Sequence, residues 1–125
     1  MFTKGDKVYA DAFKLLRHKE INMVAVQTQG TDEEWREESL ENPIKVEKDG
    51  NYIKIGGYFR VRPKNFSYVE VKTAVIKMRY SNDDQIALML NKDSSEEDAL
   101  LYEKMQEWRN FAATIATEVS KHNNE

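Results

Sequence analysis

The chain has 125 residues, 40% of them apolar and 33% charged, with a formal net charge of -3. That is the size of one ordinary domain with a core of its own, and neither the charge nor the composition is that of a general nucleic-acid binder or a disordered chain. There is no cysteine, which excludes disulfides, thiolate nucleophiles and sulfur-ligated zinc, and no stretch approaches the ~20 apolar residues of a membrane span.

The N-terminal segment MFTKGDKVYADAFKLLRHKE carries early lysines but no apolar run of signal-peptide length, so the chain is expected to stay in the cytoplasm in which it is made. Within it VYADAFKLL fits a short helix or a strand equally. The next run, INMVAVQTQ, is rich in β-branched residues and stops at Gly30, which predicts a strand. TDEEWREESLEN then places Thr31 three residues before Glu34, the form of a capping box, with acids gathered where a helix dipole favours them. This predicts a short acidic helix carrying Trp35 and Leu40 and ended by Pro43.

IKVEKDGNYIKI holds Asp49-Gly50, a pair suited to a two-residue hairpin turn. Folding about it sets Lys48 against Asn51, Val46 against Ile53 and Ile44 against Ile55, with Lys45 and Lys54 on the other face. Gly56-Gly57 interrupts this run before YFRVRP resumes strand-like alternation up to Pro63.

Three helices are predicted for the remainder. SYVEVKTAVIKMRY is rich in valine and isoleucine, yet Tyr68, Val71, Val75 and Met78 recur at helical spacing. Ser81 stands three residues before Asp84, ahead of QIALML, so it can cap a second helix with Asp83 and Asp84 in its first turn. The third begins at Ser94 or Ser95 and runs to about His122. Leu101, Met105, Trp108, Ala112, Ile115 and Val119 form one apolar seam along it, suited to packing on the domain's own core or to an oligomer seam.

Candidate sites are few. Asp83 and Asp84 read as helix punctuation, since Asn82, Gln85 and Asn91 complete no EF-hand and no histidine is near. His18 and His122 have no partners at triad or zinc spacing and are expected on the solvated surface. No glycine loop has the lysine and hydroxyl of a phosphate cradle. Catalytic, cofactor and metal residues are therefore not expected, and the chain reads as a non-enzyme. Between Tyr52 and Tyr80, seven lysines and arginines stand against the single acid Glu70. Tyr58, Arg60, Arg62, Lys64 and Phe66 form a basic, aromatic face suited to an acidic partner surface, and Trp35 is a second candidate for a partner contact. A single-stranded nucleic-acid platform has the same composition, but so small a patch on a net acidic chain gives little phosphate attraction.

The stretch YVEVKTAVIKMRYSNDDQIALMLNKD, followed by YEKMQEWRNFAATIATE, resembles a C-terminal helical segment of particle-associated proteins from tailed bacteriophages and prophages. The matching residues are Arg79, Tyr80, Ser81, Asp83, Asp84, Gln85, Glu107, Trp108 and Arg109. The resemblance implies a structural part of a phage particle, head-decorating, connector or tail-associated, present in several copies. Its expected partners are other virion proteins and the chain itself, with no membrane, nucleic-acid or small-molecule partner and no cofactor. The second reading is a small cytoplasmic adaptor or regulator of a mobile element that binds a host protein or nucleic acid. The expected architecture is one α+β domain over residues 1–125. Residues 1–66 are mostly β with the hairpin and the short acidic helix, and 67–122 are helical and end in one long helix.

Overall fold

The computed structural model describes residues 2–10, 15–31, 33–40, 44–56 and 59–123. Among these residues two antiparallel sheets precede three helices, an α+β fold. The first sheet runs in sequence order through β1 (Phe2–Lys4), β2 (Lys7–Tyr9), β3 (Met23–Thr28) and β4 (Arg36–Ser39). The second does the same through β5 (Val46–Asp49), β6 (Tyr52–Ile55) and β7 (Phe59–Val61). The helices are α1 (Tyr68–Lys77), α2 (Asn82–Asn91) and α3 (Glu96–Asn123).

Of the ambiguous segment 8–16, Lys7–Tyr9 is strand, and residues 11–14 lie outside the described residues. The predicted acidic helix does not form among the described residues. Arg36–Ser39 is strand β4, paired with β3 from Met23↔Ser39 to Val26↔Arg36. A capping signal stabilises a helix only if a helix face has something to bury, and REES has no apolar stripe. As an edge strand the segment points its acids to solvent, where Lys7 Nζ meets Glu38 Oε2 at 3.1 Å and Lys19 Nζ meets Glu37 Oε1 at 3.3 Å. Leu40, just beyond the strand, is buried. Pro43, the expected helix stop, lies outside the described residues.

The hairpin forms where the sequence places it, but with the turn one residue further on. Asp49 opposes Tyr52 and Val46 opposes Ile55, so the turn residues are Gly50 and Asn51. Gly50 has φ +60 and Asn51 is not among the positive-φ residues, the pattern of a glycine-first type II′ turn. The shift in register is two residues, which preserves the faces. Val46, Ile53 and Ile55 still share the inner face, while Lys54 now opposes Glu47.

The seam of α3 packs inside the molecule. Met105, Trp108, Ala112, Ile115 and Val119 are buried, whereas Leu101 is half-buried. They pack with Val71, Val75 and Ile76 of α1, whose helical character follows its three-to-four spacing. Inside this layer Trp108 Nε1 donates to the Val75 carbonyl at 2.9 Å, which satisfies a group that is costly to bury unpaired. Buried residues of both sheets join the same cluster. One link between the sheets is the edge-to-face contact of Tyr9 on Phe59, with ring centroids 5.5 Å apart at 89°.

Candidate functional site

The turn after α1 is held by several side-chain contacts to the chain before β3. Arg79 is 1% exposed. Its Nη1 donates to the Lys19 carbonyl at 2.9 Å, and Nη2 donates to the carbonyls of Glu20 and Met23 at 2.9 and 3.2 Å. The guanidinium lies 4.2 Å from the Trp108 ring centre. Burial lowers its pKa to about 10, and Tyr80 and Glu20 oppose that shift, so it remains charged at neutral pH. The planar fork thus ties α1 and α3 to the chain entering β3.

Beside it, Tyr80 Oη accepts from the His18 backbone N–H at 3.0 Å and lies 3.3 Å from His18 Nδ1. His18 is therefore half-buried against a ring, a correction to its expected solvated place. Burial first, and then Arg17, lower its pKa, with Asp84 opposing them. Ser81 and Asp84 form a reciprocal capping box at the start of α2. Asp84 Oδ2 also accepts from Arg17 at 2.8 Å. Burial raises the Asp84 pKa, but the Ser81 bonds and Arg17 outweigh it and bring the net value down. The paired aspartates are thus helix punctuation with an added ion pair. Among the described residues, no group of three His, Asp or Glu is placed to hold a metal ion, and no helix is long and apolar enough to cross a membrane.

The basic, aromatic face is partly assembled. Arg60 and Arg62 both lie over the Tyr52 ring, at 4.6 and 5.9 Å from its centre. Lys54 beside them reaches Asp49 Oδ2 at 3.8 Å. Arg62, Lys64 and Phe66 line one shallow recess of about 360 Å³ with Asn51, and Lys48 Nζ lies 5.1 Å from the Phe66 ring centre. Tyr58 lies outside the described residues. Trp35 is 38% exposed on the strand side of the molecule, not on a helix. With its side-chain amide oriented to satisfy both neighbours, Gln27 accepts from Trp35 Nε1 at 3.2 Å and donates to the Thr31 carbonyl at 2.9 Å.

A second surface is built by the helices. α2 buries no side chain completely; Leu88 packs against the core, while Ile86, Met89 and Leu90 are 53%, 48% and 78% exposed. At positions i, i+3 and i+4 they form one outward apolar stripe. The stripe runs from a recess of about 350 Å³ where three helices meet. Lys72 and Lys77 of α1, Asn82 and Gln85 of α2 and Arg109 of α3 line it. None of the three cations has an ion pair among the described residues. The Arg109 Nε is buried without a hydrogen-bond partner.

Comparison of the chain with protein-family models, curated proteins and solved structures found no match.

Arg79 and Trp108 thus have a structural role in holding α1, α3 and the chain before β3 together. Sequence reasoning did not find the α2 stripe or the three-helix recess as a site. The i, i+3, i+4 spacing of Ile86, Met89 and Leu90 was a readable signal for the first. Arg109 is far from Lys72 and Lys77 in the chain, and only the packing of α1 on α3 brings it to them.

Proposed function

We propose that this chain is a non-enzymatic structural component of a tailed-phage particle, head-decorating, connector or tail-associated, that acts through protein contacts. The observation that carries the contact reading is the stripe of Ile86, Met89 and Leu90, left outward by a helix whose own packing uses Leu88. Grouped apolar residues on a helix face mark surfaces that meet protein. The particle setting rests on the likeness of residues 68–93 and 102–118 to particle-associated phage proteins. Because the α3 seam is used within the molecule, the contacts fall to α2 and to the Arg60, Arg62 and Lys64 face. That face suits acidic surface on other virion proteins.

The test is peptide mass spectrometry on gradient-purified particles from the source culture, with unassembled lysate as control. Peptides of this chain at a fixed ratio to the major capsid protein are the expected result. Peptides confined to the lysate overturn the reading and leave the adaptor reading in its place.

A further inference from the structure

The surface along α2 is polarised. At its N-terminal end lies the recess with Lys72, Lys77 and Arg109. The short turn 92–95 fixes what stands at its other end, because it delivers the chain directly into the first turn of α3, which carries Glu96, Glu97 and Asp98. Glu96 and Glu97 are exposed. Asp83 and the Arg17-paired Asp84 at one end, and Lys92 at the other, reduce the two charges without reversing either. Between the ends run Ile86, Met89 and Leu90, and Asn82, which lines the recess, shares their helix face at i+4 and i+7 to Ile86 and Met89. Ten residues of helix separate the ends by roughly 15 Å.

A surface that is basic at one end, apolar in the middle and acidic at the other complements its own copy turned by a half rotation. We propose that two copies of this chain associate about a two-fold axis through the α2 stripe, with the helices antiparallel. The three-helix recess of each copy takes the Glu96–Glu97 carboxylates of the other. In such an isologous contact each copy contributes both halves, so both recesses are filled at once. The carboxylates meet three cations that have no ion pair among the described residues of their own chain. The apolar stripes cover each other. Three apolar side chains and one charged contact per copy make a small interface, so the association is weak in dilute solution and becomes strong when copies are held close together. This inference is independent of the particle reading, since the dimer forms in solution whether or not the chain is part of a virion.

The experiment is analytical ultracentrifugation of the full chain in a concentration series up to roughly millimolar, at low and high salt, a range that reaches weak interfaces. The wild type is expected to dimerise, less so at high salt. Leu90→Glu alters an exposed side chain, and circular dichroism checks that the variant stays folded; it is expected to weaken dimerisation at least ~10-fold. Lys72→Glu with Lys77→Glu, which reverses the net charge of the recess, and separately Glu96→Lys with Glu97→Lys, are each expected to be monomeric. Mixed together, these two variants present opposite charges at both contacts and are expected to form a heterodimer. A wild type that stays monomeric throughout overturns the proposal. So does a dimer that Leu90→Glu leaves unchanged, or a mixture of folded charge variants that does not associate.

Discussion

Arg79 is a charged residue that the fold uses as an internal tie. Its Nη donors serve three carbonyls and its face covers Trp108, so a substitution removes a charge and leaves three partly buried carbonyls without that donor. Arg79→Met is expected to cost about 3 kcal/mol of stability, because the carbonyls lose their donors together. Arg79→Lys recovers little of it, since an ammonium cannot span three acceptors and stack at once. Urea denaturation of the three proteins measures both. His18 gives a pH dependence. Its lowered pKa means that the folded chain prefers the neutral ring, so the unfolded chain binds more protons as pH falls from the ordinary value of 6.5 towards the lowered one. Stability is therefore full above that ordinary value and declines through this window on acidification. Asp84, whose pKa is lowered from 3.8, acts only at more acid pH. Thermal melts between about pH 7.5 and about pH 5.5 should show the wild type losing stability. His18→Asn, which tolerates the same left-handed backbone at φ 69 and does not titrate, should lose less.

At the scale of elements, local signals decided the helices and long-range pairing decided the strands. The Ser81 box, the spacing in α1 and the α3 seam are contacts within a few residues of each other, and all three appear as read. Ser81→Ala should cost about 1 kcal/mol, measurable by denaturation, because it frees the Asp84 N–H that the hydroxyl now accepts from. The acidic segment shows the opposite case. Its capping pattern at Thr31 and Glu34 was real as a pattern, but Arg36–Ser39 had an open edge of β3 to pair with and no apolar face to bury as a helix. The hairpin shows a finer limit. Asp-Gly and Gly-Asn turns both keep Val46, Ile53 and Ile55 on one face, so hydrophobic alternation could not choose between registers two residues apart. The opposition of Glu47 to Lys54 and the bond from Gly56 N–H to the Lys45 carbonyl at 2.8 Å accompany the register that forms. Gly56 itself has φ +70, and a Cβ there would lie 2.6 Å from Leu40 Cδ1. Gly56→Ala is expected to cost about 1 to 3 kcal/mol by the same denaturation measurement, from backbone strain and displacement of Leu40.

For the molecule as a whole, the α+β division and the order of its parts could be read from periodicity alone, and the working surfaces could not. Arginine is ordinarily a surface residue, so nothing marked Arg79 as buried, and nothing in the local sequence joins Lys72 and Lys77 to Arg109. The proposed contact surface is a product of three helices meeting. It also carries its own probe, because Met89 is 48% exposed on the stripe while Met78 and Met105 are 7% and 0% exposed. The central claim is that this chain meets protein through the α2 face within a particle. Its most direct test is brief hydroxyl-radical oxidation of gradient-purified particles and of the free chain in dilute solution, read by peptide mass spectrometry. Peptide 82–91 is expected in the particles, with Met89 oxidising several-fold more slowly there than in the free chain and Met105 slow in both. Peptides found on the particles with Met89 oxidised as fast as in free solution would contradict that claim.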